Sequence, residues 1–575
     1  MRRYFYLLLL ILLSATGLAG AQTPSPTPTP IPEAVPVPTV APGFENRDLS
    51  LPELGRVGVD LTDQRTMTLL DAVEMALSNN LDIEVSRRTE EMSEFDLKAA
   101  KGVYQPRLTG QTYYERATTP NISIFSTNPK QTNSSLVANA GITAYVPRWG
   151  TVLGTQFNNG RVTTDNPITI LSPQLNSSLG LSVTQPLLRG RSFDQNRRNI
   201  EIAKRNIQIS DVQFRQRAIE TVAAVQRAYW DLTYALRNLQ VQRDAVRDAK
   251  EQLEHNRRLV NEGQLAPIDV VAAETQVANF EQAVYDALNT VNLSENVLKG
   301  LVSPNRNDPI WGKSITPVEP VEQTVPDPTL GDAMTAAIAN RPELEINEVQ
   351  RDINRVDQRL YKDQRKPQID LIASYTSAGI GGSQNPVFSN PFSASVCATP
   401  TSPGCIALQQ QQQNFLRTIG GSPSAYSDIL QNKYPTLRLG VNFNIPLFGK
   451  DRIASAYLGR AKVEEQRLDT QREQLQQNIQ IEVRNAIQSV RTNEARLRSA
   501  SIARENSQRQ YESEQRKLDS GQSDVYRVLE RQTALAVAQS AELRARTDLN
   551  KSIADYERAT GSTLAANHVE PQLKK

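Results

Sequence analysis

Val222, Val225, Tyr229, Leu232, Leu236 and Leu239 follow one another at alternating steps of three and four residues, and Val246 and Leu253 continue the series at sevens. A seam sustained over that length marks a long helix packed along another helix. The pattern predicts helices over roughly 191–262 and, from Val483, Ile487, Val490 and Leu497, over roughly 450–520. Each stops at a glycine, Gly263 or Gly521, the residue suited to a left-handed C-terminal cap. Return helices keep the register. Val270, Val277, Val284, Val291 and Leu298 are seven apart, matched by Val528, Leu535, Glu542, Leu549 and Tyr556, predicting helices over roughly 268–300 and 525–560.

A period of two appears elsewhere. Leu179–Pro186 and Leu437–Pro446 alternate apolar and polar residues, as strands with two different faces do. One-sided burial in a soluble sandwich gives the same alternation. Arg107–Tyr114 and Gln368–Tyr375 also read as strands, each preceded by a helix (68–104 and 329–365) that must end before Pro106 or Pro367. Pro186 and Pro446 close the later strands. Between its first and last strand the first half carries extra strand-like sequence, Leu136–Pro147 and Thr151–Phe157, joined at Arg148-Trp149-Gly150. The second half has a Gln-, Ser- and Pro-rich insert around 381–433 instead.

The two halves are copies of one plan. At an offset of 261, Asp71 falls on Asp332, Ala72 on Ala333, Asn79 on Asn340, Pro106 on Pro367 and Tyr114 on Tyr375; Gly263-Gln264 falls on Gly521-Gln522 at 258. Two long copies exclude a short-period solenoid. At about 1.5 Å per residue a long helix reaches about 105 Å, and the two shorter helices of a copy, about 50 and 55 Å, match it end to end. One rod can therefore leave the strands while two short rods bring the chain back.

The domain plan follows. Residues 1–21 read as a leader: Arg2 and Arg3 precede an apolar run too short to span a bilayer as a helix, and Ala19-Gly20-Ala21 is an A-x-A cleavage pattern. An uncleaved anchor is the alternative; no Cys follows the run to carry a lipid. Residues 22–65 form a Pro-rich extended segment, 66–303 the first repeat, 304–328 a Pro-rich connection, 329–563 the second repeat and 564–575 a tail. Nothing later reads as a transmembrane helix, so membrane insertion requires strands or assembly.

Composition removes function classes. Lys+Arg (64) and Asp+Glu (62) nearly balance and aromatics are 6%, so neither a basic stripe nor a base-stacking surface marks a nucleic-acid partner. No G-x-S-x-G, Walker loop or H-E-x-x-H occurs, and two histidines (His255, His568) supply little acid–base chemistry, so no catalytic residue, cofactor or metal site is assigned. Cys397 and Cys405 suit one disulfide closing a small loop in an exported protein, or two surface thiols.

The paired LxDAxxxA-like openings (Leu69-Asp71-Ala72-Ala76, Leu330-Asp332-Ala333-Ala337), Pro106 and Pro367, the strand-to-helix QPLLRG and IPLFGK, and the G-turn-V tips at 263–270 and 521–528 occur in order, twice. In this the chain resembles the TolC-like outer-membrane efflux proteins over about residues 66–563. The resemblance implies a mainly α fold with a membrane β-barrel: coiled-coil helices forming an α-barrel in a homotrimer, and two strands per repeat closing a shared twelve-stranded barrel in outer-membrane lipid; the extra hairpin at 136–157 departs from that plan and would either extend above the membrane or add strands to the barrel. It implies a passive exit duct for tripartite efflux or type I secretion, with a long periplasmic extension, an inner-membrane pump supplying energy and a periplasmic adaptor (membrane fusion) protein gripping the tips. In the family an acid six positions after the tip glycine often lines the periplasmic gate. Here that is Asp269, with Arg527 in the second copy and Asp524 and Glu530 beside it. Helix-capping acids are the ordinary alternative. Gly263, Gln264, Gly521 and Gln522 lie in the tips that would meet the adaptor. An exported, non-conducting coiled-coil structural or adaptor protein is the competing reading. Against it stand the Pro-bounded strands at fixed places in both repeats.

Overall fold

The Thr68 hydroxyl accepts from the Asp71 N–H while the Asp71 carboxylate accepts from the Thr68 N–H, and this reciprocal box starts the first helix. The computed structural model describes residues 55–120, 129–318, 325–327, 329–390, 393–447 and 449–569. The leader and most of the Pro-rich segment, parts of the 304–328 connection and the end of the tail lie outside them.

A strand Asp60–Met67 (β1) precedes α1 (Leu69–Asn79) and α2 (Leu81–Lys101). Then come β2 (Arg107–Pro120), β3 (Lys130–Tyr145), β4 (Val152–Thr164) and β5 (Leu171–Pro186). The long helix α3 (Gln195–Asn261) and return helix α4 (Pro267–Val302) complete the first copy, and β6 (Lys313–Pro317) follows. The second copy has α5 (Leu330–Asn340), α6 (Pro342–Gln364), β7 (Gln368–Gln384), α7 (Ser393–Val396), α8 (Pro403–Ile419), α9 (Ser424–Leu430) and β8 (Tyr434–Asn444). It ends with α10 (Arg452–Asp519), α11 (Val525–Thr560) and a short α12 (Thr563–Ala566).

Long and return helices match between copies, 67 and 36 residues against 68 and 36. On α3 the heptad residues Val222, Val225, Tyr229 and Leu232 are fully buried, as are Val291 and Leu298 on α4. Burial on this scale is worth about 1.5–3 kcal/mol per large side chain. Glu542 occupies a seam position on α11 as a buried acid and is paired by Arg504 (2.6 Å) and Arg546 (3.1 Å).

The first helix of each copy, expected as one rod, is broken in two. Asn80 turns the chain out of helical geometry; its Oδ1 accepts from the Asp82 N–H and its Nδ2 donates to the Leu301 carbonyl. The matching break at Arg341 is set by Pro342 at the first position of α6. The α2 rod thus begins where α4 stops. The 21 residues of α2 span about 32 Å and the 36 of α4 about 54 Å, together most of the roughly 100 Å of α3, with α1 packed beside the join.

The boundary expected at 65/66 falls inside β1, which pairs in parallel with β6 from the Pro-rich connection. Neither strand has a repeated apolar alternation, so neither was legible. Their sheet sits at mid-rod, where the Tyr229 hydroxyl donates to the Met67 carbonyl (3.1 Å). An ion cluster around the fully buried Glu295 and Lys299 lies beside it. Glu295 accepts from Arg56 (3.0 Å) and from the Ile315 N–H (2.7 Å), with the Lys299 ammonium 3.6 Å away donating to the Trp311 carbonyl.

The second sheet is antiparallel, in the order β2-β3-β4-β5-β7-β8. The first copy supplies four strands and the second two. The expectation of two strands per repeat is corrected for the first copy, because the extra hairpin β3–β4 satisfies its backbone groups by pairing fully with β2 and β5. The insert around 381–433 holds α7, α8 and α9, and Cys397 and Cys405 are joined by a disulfide with Cα atoms 4.7 Å apart.

Candidate functional site

Pairing register puts Leu437, Leu439, Val441 and Phe443 of β8 on one face, beside Leu371, Ala373 and Tyr375 of β7. The same face continues through Leu179, Leu181 and Val183 of β5, then Leu153 and Phe157 of β4. It runs on to Ala138, Ala140 and Ile142 of β3 and Leu108 and Tyr114 of β2. These side chains have little protein cover: Leu437, Leu439 and Phe443 are 66%, 69% and 69% exposed. A contiguous apolar face of this kind has a lipid or protein partner. Trp149, half exposed and with the Arg148 guanidinium over its ring, stands at the helix-side end of the face, the position of an interfacial aromatic.

The opposite face is polar and concave. One hollow of about 620 Å³ is lined by Thr109, Gln111, Asn139, Gln156 and Ser182, a second of about 510 Å³ by Asn158, Asn176, Ser178 and Tyr434. Gly154 keeps this wall smooth, since a Cβ there would lie 2.6 Å from the Ser182 hydroxyl. Helix α9 covers the apolar face at the end farthest from the rods, where Ser377 donates to the Ile429 carbonyl and Asn159 to the Tyr426 hydroxyl.

The predicted junction prolines stand where strands meet rods. Pro106 follows a one-turn 3₁₀ helix (Gly102–Tyr104) and precedes β2, Pro367 lies between α6 and β7, Pro186 ends β5 and Pro446 follows β8. The buried Asp363 at the end of α6 accepts from the Gly190 N–H (2.6 Å) and the Ser192 hydroxyl (3.0 Å), clamping the β5–α3 turn.

At the opposite end of the rods the two tips are built alike. Gly263 (φ +76°) donates to Val260 and Gln264 to Leu259; Gly521 (φ +71°) donates to Leu518 and Gln522 to Lys517. Both are Schellman caps, which need the left-handed region that glycine reaches without strain. Asp269 accepts from the Ala266 N–H (3.1 Å) in the first turn of α4, and Asp524 is the N-cap of α11, accepting from the Arg527 N–H (2.9 Å) and pairing with its guanidinium (3.3 Å). Ala266 has no side-chain acceptor, so only the Asp269 half of a capping box exists. Glu530 is exposed one turn further on. The second tip carries an additional network that sequence reasoning missed. Ser523 and Lys517 both donate to Glu514, holding its carboxyl below the usual range. The tips are neighbours, for Gln276 on α4 donates to Thr533 on α11 (2.9 Å).

A strand sheet with one lipid-compatible face and one polar concave face, continued at one end by heptad-packed rods, is suited to the wall of an outer-membrane channel. Residues 138–302 match the sequence model of the family described as Outer membrane efflux protein. The fold is shared with the Campylobacter jejuni CmeC outer membrane channel (16% identity, 86% of each chain, TM-score 0.58). It is shared too with the open state of the Neisseria gonorrhoeae MtrE outer membrane channel (15% identity, 86% of this chain and 89% of that one, TM-score 0.56). The Vibrio cholerae outer membrane protein VceC matches at 14% identity over 86% of this chain and 96% of that one, TM-score 0.55. Comparison with curated protein sequences found no match. Over residues 138–302 the chain carries the sequence pattern of the outer membrane efflux protein family, and over 86% of its length it shares the fold of outer membrane channels.

Proposed function

We propose that three copies of this chain close into one passive conduit through the outer membrane and periplasm. A periplasmic adaptor grips the helical tips and an inner-membrane pump supplies the energy. The observation that carries this reading is the six-stranded sheet ending at β2 and β8, two long edge strands whose outer face is apolar along β8 from Leu437 to Phe443 and carries Leu108 and Tyr114 on β2. Long apolar edges are left open in native proteins only where something pairs with them, and strands can cross a bilayer only in a closed barrel. The rods support the same closure. Ile453, Val463, Ile481 and Ile502 are exposed on α10 at heptad-compatible spacings, as are Val85, Met92 and Phe95 on α2, giving second seams for helices of a neighbouring copy.

The tips would form the adaptor contact through Gly263-Gln264 and Gly521-Gln522, and the gate through Asp269, with Asp524, Arg527 and Glu530 around it. Capping does not exhaust a carboxylate, which has about four lone-pair sites. Threefold symmetry would repeat Asp269 as a ring, and carboxylate rings select cations. Planar-bilayer recording on the purified oligomer tests the reading. Discrete cation-preferring conductance steps are expected, and an oligomer that inserts without conducting would refute it.

A further inference from the structure

We infer that the barrel of this protein has eighteen strands, because the β3–β4 hairpin is pore wall over its full height. The inference rests on the trimeric reading above. In the family plan two strands per repeat give twelve; here three six-stranded sheets would close the wall.

The first support is register. β3 pairs with β2 from Arg107↔Thr143 to Pro120↔Lys130, and β4 pairs with β5 from Val152↔Thr184 to Val162↔Gln174. A decoration on the outer rim would pair only at the far end. This hairpin runs the length of its neighbours and turns at residues 146–151, on the helix side. Its turn is fastened there. Gln185 donates to the Trp149 carbonyl (3.2 Å), and Gly150, at φ +68°, lies so close to the start of α3 that a Cβ would come 2.7 Å from the Gly190 carbonyl oxygen.

The second support is face parity. Ala138, Ala140 and Ile142 continue the apolar face, while Asn139, Gly141 and Gln156 continue the polar concave one. Nothing in a rim loop requires that both faces stay in step with the membrane strands. A wall strand requires it at every residue.

The third support is size. With strands about 4.8 Å apart and tilted about 40°, twelve strands make a cylinder about 24 Å across and eighteen one about 36 Å across. Each chain supplies four rods: α3, α10 and the two composite return rods. Twelve rods about 9 Å apart form a tube about 35 Å across. At that tilt eighteen strands match the width of the twelve-rod tube, and the cross-section of the wall is about 2.25 times that of a twelve-stranded wall of the same tilt and strand spacing.

The test uses the full chain carrying Asn139→Cys or Ala140→Cys, neighbours on opposite faces of β3; Cys397 and Cys405 are already bonded to each other. The oligomer mass is read first, and a chain that is not trimeric removes both the inference and the reading beneath it. In the trimer, a charged aqueous thiosulfonate should modify Asn139→Cys and lower the single-channel conductance. A bimane on Ala140→Cys should be quenched at least twofold by brominated acyl chains relative to unbrominated ones. A trimer in which both positions react equally with the aqueous reagent, and in which brominated lipid leaves the bimane unquenched, would overturn the eighteen-stranded wall and leave the trimeric duct standing.

Discussion

Glu295→Gln isolates what holds the mid-rod sheet. Glu295 and Lys299 are both fully buried, and the Glu295 carboxylate faces Lys299, Arg56 and the Ile315 N–H at once. The amide keeps the shape and can still accept from Ile315, but it leaves the Lys299 ammonium and the Arg56 guanidinium without a counter-charge. Breaking a buried pair by removing one partner costs about 3–5 kcal/mol, against about 0–1 for an exposed pair. Because β6 and the segment before β1 converge on this group, the loss should appear as local opening there. At about 1.4 kcal/mol per decade, amides of β1 and β6 should exchange roughly two to three orders of magnitude faster. Hydrogen-exchange mass spectrometry in detergent reads this on peptides covering 60–67 and 313–317. Peptides from α10 serve as the unaffected reference. Removing all three charges, with Glu295→Leu, Lys299→Met and Arg56→Met, should recover part of the protection, since buried ion groups are often replaceable by apolar residues of similar volume and only the Ile315 N–H then loses its acceptor. Unchanged exchange in β1 and β6 for Glu295→Gln would show that the ion cluster does not hold this sheet, and so would a triple variant as open as the single one.

Other consequences follow from single groups. Burial, then repulsion by Glu94, raises the Asp211 carboxyl above the usual range. Its contribution to stability is complete below the unfolded pKa and is lost as pH rises through the folded value, so Asp211→Asn should raise the apparent Tm near neutral pH and do nothing in acid. Asp269→Ala should raise single-channel conductance and weaken block by divalent or trivalent cations; unchanged conductance and block would remove it from the gate. Asp524→Asn should leave α11 intact because Asn also caps well, while Asp524→Ala should cost about 1 kcal/mol locally, readable as faster exchange in 525–532. Gly521→Ala, at φ +71°, should destabilise the second tip by roughly 1 kcal/mol and weaken adaptor binding in a surface-plasmon assay, without changing the strands.

The long-range plan was legible because heptads and alternation are periodic signals. Val277, Val284, Val291 and Leu298 place the return helix by their spacing alone, and the alternation from Leu437 to Phe443 gives a strand its two faces. The extra hairpin was visible as strand-like sequence, but whether it joined the sheet depends on pairing partners far away in the chain, which no local pattern encodes. β1 was hidden for a related reason: DLTDQRTM has no apolar alternation and is held by parallel pairing to β6 and by the Met67–Tyr229 bond. The insert's helices could have been suspected from the run Cys405–Leu416, whose residues are mostly good helix formers, but Ser and Pro on both sides masked it. At the tips the sequence named Asp269 and Asp524. Their hydrogen bonds make them caps, and only symmetry among copies could make them a ring.

Native mass spectrometry of the protein extracted from outer membranes in mild detergent decides whether this chain works as three copies around one continuous bore. A detergent-dependent particle of three chains is expected; a soluble monomer or dimer that needs no detergent would rule the duct out and leave an exported coiled-coil protein.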